Sequence, residues 1–240
     1  MKYVCYFDVN SHDEDVFGGL RPTAVLRYMQ ECANLQLYTT GFSYKDMYDS
    51  GKAYILSRIN ASIYADLHPH EKIRAESWLY DCHGVVFNRF YKLFRGDDLI
   101  AEAASVWGLI GVKDKKIHRV TEVDISQHTD DDTVDIDVPR RTVRRDADFA
   151  LCGEREVTYA DCDMNGHMNN TVYADMLFSY APEVRRGDNC RAVSFNISYL
   201  SEAPLGENLK IYTAEVDGIR CFRTVKSSGQ INAEAEFIIE

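Results

Sequence analysis

The sequence lacks every cysteine pattern that would indicate a disulfide framework or a zinc site. Its seven cysteines are odd in number and scattered, and no CxxC pair occurs among them. We therefore expect reduced thiols and a cytoplasmic location. Metal-ligand spacings between histidines and cysteines are also missing, as is a glycine-rich phosphate loop after a strand. The sequence thus predicts no metal and no organic cofactor.

Long apolar runs and a positive charge balance are missing as well. No run approaches the roughly 20 apolar residues that span a bilayer, and the opening residues MKYVCYFDVN lack the apolar core of a signal peptide. The formal net charge of -11 repels nucleic-acid phosphates and anionic lipid. We therefore expect neither nucleic acid nor a membrane as partner. Hydrophobic residues make up 45% of the chain, which is enough for a packed core.

The chain contains one plan of elements used twice. A strand-like run, a glycine-containing bend, a helical stretch and four strand-like runs follow one another in each half. The stretch DVFGGLRPT at 15–23 aligns without a gap with DMNGHMNNT at 163–171. The predicted helices cover 22–38 and 170–180, and the predicted strands cover 3–9, 54–65, 72–83, 85–95, 98–112, 154–160, 191–201, 208–217, 219–227 and 230–239.

A helix with an antiparallel sheet is an α+β architecture, and a sheet that wraps a central helix is the hotdog fold. The sequence therefore predicts two fused hotdog domains, each a long helix wrapped by an antiparallel β-sheet. We assign residues 1–120 to the N-terminal domain, 121–152 to a charged surface linker and 153–240 to the C-terminal domain. Single hotdog domains usually pair, and this chain could supply both partners; a homodimer of the whole chain stays open.

The richest polar segment is YADCDMNGHMNN at 159–170. Asp163, Asn165 and His167 stand at alternate positions, so all three side chains could face one cavity. Gly166 allows a sharp bend, and one of the two asparagines that follow would cap the next helix. The first turn of that helix could stabilise an oxyanion, while a carboxylate or imidazole activates water or a carboxylate attacks directly. An ordinary turn and cap would explain the same residues.

DCDMNGHMNN resembles the signature of the plant and bacterial acyl-acyl carrier protein thioesterases. GGLRPTAVLRYMQECA and ASVWGLIGVKDKK resemble the first hotdog domain of that family, and the resemblance spans most of the chain. It implies hydrolysis of the thioester of fatty acyl-acyl carrier protein (acyl-ACP), with release of the free fatty acid. Acylated carrier protein is then the partner. No plant transit peptide or apolar anchor is recognised, so we expect a compact bacterial form.

The resemblance also implies catalytic roles for four residues. They are Asp163, Asn165 and His167 of the signature, and Glu202 in YLSEAP. Plant members often have cysteine directly after the glutamate, whereas this chain has Ala203. This difference favours Glu202 over a thiol as the water activator or nucleophile.

Five further residues are predicted to contact substrate. The apolar stripe of the first helix could line an acyl channel, although such a stripe also fits plain core. Gly166 and Met168 lie within the signature. The predicted substrate-binding set is Tyr28, Met29, Cys32, Gly166 and Met168.

Asp8, Asn10 and His12 repeat the D-x-N-x-H spacing in the first half. The internal alignment instead matches Asp163 with Asp15, and it leaves phenylalanine and glycine opposite Asn165 and His167. We therefore expect the first half to keep the fold and lose the chemistry.

Two other functions stay open at this level: an acyl-CoA thioesterase of the hotdog superfamily and a non-catalytic acyl-binding protein. The fused length favours the carrier-protein class, and the four polar residues together weigh against a silent protein. Despite the net charge, an acidic carrier protein should dock on local positive charge. The candidate residues are Arg140, Arg141, Arg144, Arg145, Arg185, Arg186 and Arg191.

Overall fold

The computed structural model describes residues 1–41, 43–139 and 147–240. The chain forms two compact units, the first comprising Met1–Leu20 and Ala24–Pro139 and the second Arg21–Thr23 and Arg140–Glu240. Within the described ranges, no helix is both long enough and apolar enough to cross a membrane. Four of the arginines predicted to dock a carrier protein lie outside the described residues: Arg140, Arg141, Arg144 and Arg145.

The first unit is an antiparallel sheet with one long helix. Its strands pair in the order β1-β3-β4-β5-β2, and the short β6 pairs with β5. The long helix α1 buries Val25, Met29 and Cys32, and the Cys32 thiol lies 3.5 Å from the carbonyl oxygen of Ala75 in β3. Its elements are β1 (Tyr3–Asp8), α1 (Pro22–Thr39), α2 (Tyr44–Asp49), β2 (Lys52–Ile63), β3 (Lys72–Leu79), β4 (Phe87–Arg95), β5 (Asp98–Gly111) and β6 (Ile117–His118).

The second unit repeats this arrangement with a shorter helix. Its strands pair in the order β8-β11-β10-β9-β7. The ring of Phe178 in α3 stacks on Phe237 of β11 at 6.2 Å, which holds the helix against the sheet. Its elements are β7 (Ala150–Glu156), α3 (Val172–Phe178), α4 (Pro182–Arg186), β8 (Ala192–Tyr199), β9 (Asn208–Val216), β10 (Ile219–Lys226) and β11 (Ile231–Ile239).

The predicted α+β class is confirmed, and the main differences lie in the bounds of two elements and in short helices that were not predicted. β7 covers Ala150–Glu156, four residues before the predicted 154–160. The second helix begins at Val172, two residues later than predicted, and it has seven residues against 18 in α1. The short helix α2 was not predicted, although its sequence contains a capping box. Ser43 accepts a hydrogen bond from the backbone of Asp46, and the Asp46 carboxylate accepts one from the amide of Ser43 at 2.9 Å.

Residues 121–139, which we assigned to a linker, belong to the first unit. Asp135 donates its amide hydrogen to the buried carboxylate of Glu102 at 3.2 Å. In this segment every second residue is apolar, which is typical of an extended chain packed on a sheet. The acidic residues between them hide this pattern in the sequence. The alternating residues pack against Trp78 and Phe90, and they are Val134, Ile136 and Val138.

Candidate active site

Asp163 folds the signature segment into a tight turn. Its backbone amide donates to the carbonyl of His167 at 3.1 Å, and its carbonyl accepts from the amide of Gly166 at 3.0 Å. Its carboxylate also accepts from the amide of Asn165 at 2.8 Å. Gly166 closes the turn with φ +78°, a conformation that side chains with a Cβ rarely adopt. The backbone of this turn therefore requires an aspartate and, three residues later, a glycine.

The end of the turn pairs with residues 203–205 like two short antiparallel strands. Met168 donates its amide hydrogen to the carbonyl of Ala203 at 2.8 Å, and Leu205 donates to the carbonyl of Gly166 at 3.2 Å. His167 and Pro204 are the residues directly opposite each other. This pairing brings a residue of the signature next to the loop after β8, which carries Glu202.

The structure brings His167 and Glu202 together. The His167 Nε2 atom lies 3.9 Å from Glu202 Oε1, and the two side chains are 26% and 60% exposed, respectively. This separation exceeds the roughly 3.2 Å limit of a good hydrogen bond, so the pair is not directly bonded. A water molecule could contact both groups from the solvent side. An imidazole and a carboxylate in this arrangement can move a proton to or from that water.

Asn169 connects the turn to the start of α3. Its side-chain amide donates to the carboxylate of Asp163 at 3.3 Å. Its side-chain oxygen accepts from both the amide and the hydroxyl of Thr171, at 2.9 and 2.8 Å. Asn169 thus holds the turn directly before the helix. The N-cap position is Thr171, whose side chain makes no cap hydrogen bond within the described ranges, and neither predicted asparagine occupies it. The backbone amide of Val172 donates to the carbonyl of Asn169, whereas the amide of Asn170 has no acceptor among the described residues.

Asp161 anchors the approach to the turn, and we did not predict it. This buried carboxylate accepts from the amide and the hydroxyl of Thr158, both at 2.8 Å, and from the guanidinium of Arg155. Burial raises the pKa of Asp161, but the hydrogen bonds from Thr158 and Arg155 outweigh it, so the pKa lies below its usual range. The signal that would have found Asp161 is the T-x-x-D capping box at residues 158–161.

The first unit builds the same turn without the polar side chains. The amide of Asp15 donates to the carbonyl of Gly19 at 2.8 Å, and its carboxylate accepts from the amide of Phe17 at 2.8 Å. Gly18 has φ +82° where the second unit has Gly166. The backbone turns at 15–19 and 163–167 therefore share these hydrogen bonds, as the alignment of the two halves predicts. Phe17 and Gly19 occupy the positions of the asparagine and the histidine, so this turn offers neither an amide nor an imidazole.

The structure does not bring Asp8, Asn10 and His12 together as a site. The side chain of Asn10 donates to the Asp13 carboxylate at 3.1 Å and to the Tyr28 hydroxyl at 3.2 Å. The His12 side chain is 76% exposed, and its Nε2 atom lies 3.9 Å from Asp13. Asn10 therefore has a structural role inside the first unit.

The three residues of α1 predicted to line an acyl channel lie in the core of the first unit. Tyr28, Met29 and Cys32 are buried. The hydroxyl of Tyr28 donates to Asp13 at 2.6 Å, and burial together with this bond raises its pKa to about 12. A hydrogen bond with Cys5, together with burial, raises the pKa of the Cys32 thiol far above its usual range. Their polar atoms are thus used internally, and their role toward substrate stays a prediction.

The two remaining substrate-binding candidates lie in the second unit, where Met168 is buried and Gly166 is exposed. Among the described residues, no group of three or more His, Cys, Asp or Glu side chains could hold a metal ion.

Comparisons with known proteins cover both units. The acyl-ACP thioesterase N-terminal domain model matches residues 1–127, and the acyl-ACP thioesterase C-terminal domain model matches residues 147–239. No match was found among curated protein sequences.

Two solved structures are similar over the full chain. An acyl-ACP thioesterase from Bacteroides thetaiotaomicron is 20% identical, with a TM-score of 0.89 over 100% of this chain and 98% of that one. The 12:0-ACP thioesterase from Umbellularia californica is 17% identical, with a TM-score of 0.81 over 100% of this chain and 97% of that one. At these identities the likeness shows the fold, and the two domain models show the family. The chain therefore belongs to the acyl-ACP thioesterase family and is a thioester hydrolase of fatty acyl-ACP built from two hotdog domains.

Proposed function

We propose that the single catalytic centre of this enzyme lies in the second unit, with Glu202 as general base and His167 as its partner. One observation carries the proposal: the imidazole and the carboxylate approach to 3.9 Å beside a turn whose counterpart in the first unit has Phe17 and Gly19. The reaction is hydrolysis of the acyl-ACP thioester, which yields a free fatty acid and the thiol of the carrier.

The proposed chemistry needs one water molecule and no covalent intermediate. Glu202 takes a proton from water, and the oxygen of that water bonds to the carbonyl carbon of the thioester. When the tetrahedral intermediate collapses, the carbon–sulfur bond breaks and the thiolate takes the proton held by Glu202, either directly or through His167, so that both side chains return to their starting states. The 60% exposure of the Glu202 side chain supports this route, because water can reach the carboxylate without displacing protein.

The carbonyl oxygen needs a donor as negative charge develops on it. The amides of Thr171 and Val172 donate to Asn169 instead, which removes two of the donors expected at the start of α3. We assign the oxyanion to the side-chain amide of Asn165 and the backbone amide of Asn170. Asp163 contributes by shaping the turn that carries Asn165 and His167.

The acyl chain and the carrier define the rest of the proposal. Tyr28, Met29 and Cys32, with Gly166 and Met168, remain our candidates for contact with the acyl group. The carrier is expected to dock on the positive side chains beside α4, and a homodimer is not needed for the proposed chemistry. We also propose a cytoplasmic location, because the seven cysteines, all within the described ranges, form no disulfide.

The test compares thiol release from acyl-ACP, from acyl-CoA and from a small acyl thioester by the wild type and by Glu202→Gln. The matched control is Glu215→Gln, because its carboxylate is 58% exposed and pairs with Arg220. We expect Glu202→Gln to lower kcat on every substrate by about 10²- to 10⁴-fold, whereas Glu215→Gln behaves as the wild type.

The wild type should turn over acyl-ACP with the highest kcat/KM. Equal activity of Glu202→Gln and Glu215→Gln would contradict the proposed role of the carboxylate. A higher kcat/KM on acyl-CoA than on acyl-ACP would contradict the proposed carrier docking and leave the role of Glu202 standing.

A further inference from the structure

Asn232 is fully buried in β11 and has no role in the reaction steps proposed above. In the pairing of β10 with β11, Thr224 lies opposite Ala233 and Val225 lies opposite Ile231. Asn232 is therefore the extra residue of a β-bulge. Bulges change the direction of side chains and are frequent beside active sites.

The bulge turns Asn232 toward α3. Phe237 of the same strand already stacks on Phe178 of α3, so strict alternation would turn Asn232 to the opposite face of the sheet. Its side-chain oxygen nevertheless accepts from the hydroxyl of Tyr173 in α3 at 3.0 Å, and from the hydroxyl of Thr224 at 2.9 Å. The bulge is what makes these contacts available.

Asn232 also holds the chain directly before Glu202. Its backbone carbonyl accepts from the amides of Leu200 and Ser201 at 2.8 and 3.1 Å. Its side-chain amide donates to the carbonyl of Ser201. Three hydrogen bonds to one buried residue thus fix the two residues that precede Glu202.

The residues after Glu202 are fixed from the other side. Ala203 accepts from the amide of Met168 at 2.8 Å, and Pro204 lies opposite His167. Glu202 is therefore held between the signature turn and Asn232. A shift of the backbone on either side would change the distance between the imidazole and the carboxylate.

We propose that Asn232 is a positioning residue, which acts through Leu200 and Ser201 to hold the Glu202 carboxylate beside His167. This inference rests on the proposed role of Glu202 as general base. Misplacement of a reacting group by about 1 Å can cost on the order of 10²-fold in rate. The contribution of Asn232 should therefore appear in kcat rather than in KM.

The experiment is a double-mutant cycle of Asn232→Ala and Glu202→Gln, with steady-state kinetics on acyl-ACP and thermal unfolding of every variant. The control is Phe237→Leu, which loosens the buried packing of the same strand without touching the Glu202 loop. Asn232→Asp is the second variant, because it keeps an acceptor for Tyr173 and Thr224 and replaces the NH₂ group that faces Ser201 with the second oxygen of a buried carboxyl group.

We expect Asn232→Ala to lower kcat by about 10- to 100-fold with KM unchanged. In the Glu202→Gln background the same substitution should cause no further loss, because the group that it positions is gone. Asn232→Asp should also lower kcat, by a smaller factor. Phe237→Leu should lower the unfolding temperature and leave kcat near the wild-type value.

Equal losses of kcat in both backgrounds would overturn the proposal, as would a loss with Phe237→Leu that matches the loss with Asn232→Ala. If Asn232→Ala fails to fold, full activity of Asn232→Asp would overturn it in the same way. If Glu202→Gln alone leaves kcat intact, the proposed role of Glu202 fails and the positioning role falls with it.

Discussion

At the scale of single residues, the contacts of Asp163 are those of a side chain that shapes a turn. Asp15 makes the same three contacts with backbone groups in the first unit, where phenylalanine and glycine replace the asparagine and the histidine. What Asp163 adds is the hydrogen bond from Asn169 at 3.3 Å, which ties the signature turn to the residues directly before α3. Its contribution to the reaction should therefore be one of orientation.

An orientation role for Asp163 predicts different effects of Asp163→Asn and Asp15→Asn, which are the same substitution in the two units. Asp163→Asn keeps an oxygen for the amide of Asn165 but sets its NH₂ group against the side-chain NH₂ group of Asn169. We expect kcat to fall by about 10-fold, below the loss typical of a general acid–base group. Asp15→Asn should leave kcat unchanged, because only the first-unit turn is affected. Steady-state hydrolysis of acyl-ACP measures both, and equal effects would refute the orientation role.

The route of attack can be read from the oxygen in the product. If Glu202 acts as a base, a single turnover in H₂¹⁸O with excess enzyme places ¹⁸O in the fatty acid. If Glu202 attacked the carbonyl directly, cleavage of the anhydride at the Glu202 carbonyl would deliver an unlabelled glutamate oxygen to the product. Mass spectrometry of the released acid distinguishes the two. We expect the labelled acid at the first turnover.

Sequence alone predicts part of the site at this scale. The spacing of Asp163, Asn165 and His167 is visible because the turn is local. Glu202 required the family resemblance, since a glutamate before a proline also fits a solvated turn. The role of Asn232 could not be predicted from the sequence, because its orientation depends on a β-bulge that no local sequence pattern indicates.

At the scale of elements, the short turn at Tyr159–Asp161 links the end of β7 to the signature. Its stability should depend on pH through Asp161. Because the pKa of this carboxyl is lower in the folded protein, its contribution is present above the ordinary pKa of aspartate and is lost as the pH falls through the folded value.

We therefore expect acid to destabilise the wild type more steeply than Asp161→Asn. The variant should be less stable than the wild type near neutral pH. The difference should shrink as the pH falls below the ordinary aspartate pKa of about 4 and through the lower folded value, where the native carboxylate takes up a proton. Thermal unfolding across this range measures the difference, with Asp188→Asn as the exposed control. A difference that does not change with pH would contradict the account.

The start of the second helix was predicted too early, because side chains there compete with the backbone. The prediction started the second helix at residue 170, but Asn169 and Thr171 use their own side chains to hold a turn, and α3 starts at Val172. Most strands were predicted closely, because alternation along a half-buried sheet is a strong local pattern. The exception is β7, which covers Ala150–Glu156, four residues before the predicted 154–160. The strip at 134–138 was missed because acidic residues separate its apolar ones.

At the scale of the whole molecule, the family follows from two matched domains in the expected order. Because the net charge is -11, an acidic carrier can dock only where positive side chains form a local patch. Near α4, Arg186 pairs with Asp188 at 2.7 Å, and Arg185 donates to the carbonyl of Cys152 at 2.9 Å while lying over the ring of Tyr180. Both arginines remain exposed enough to meet a partner.

Charge reversal at this patch tests carrier docking. We expect Arg186→Glu to raise KM for acyl-ACP several-fold at low salt, and to leave KM for a small acyl thioester unchanged. Added salt should reduce the difference, because a Debye length of about 8 Å at physiological ionic strength screens exposed charges. Lys45→Glu, an exposed reversal on α2 of the first unit, is the control. Equal changes for both substrates would contradict docking at α4.

The central claim is that only the second unit performs the chemistry, and the two histidines of the D-x-N-x-H spacings test it most directly. His167→Ala and His12→Ala are the same substitution in the two halves, and the measurement is kcat for acyl-ACP hydrolysis with circular dichroism to confirm folding. We predict that His167→Ala lowers kcat by about 10²- to 10⁴-fold. His12→Ala, whose side chain is 76% exposed, should stay within a few-fold of the wild type. Loss of turnover with His12→Ala and its survival with His167→Ala would contradict the account.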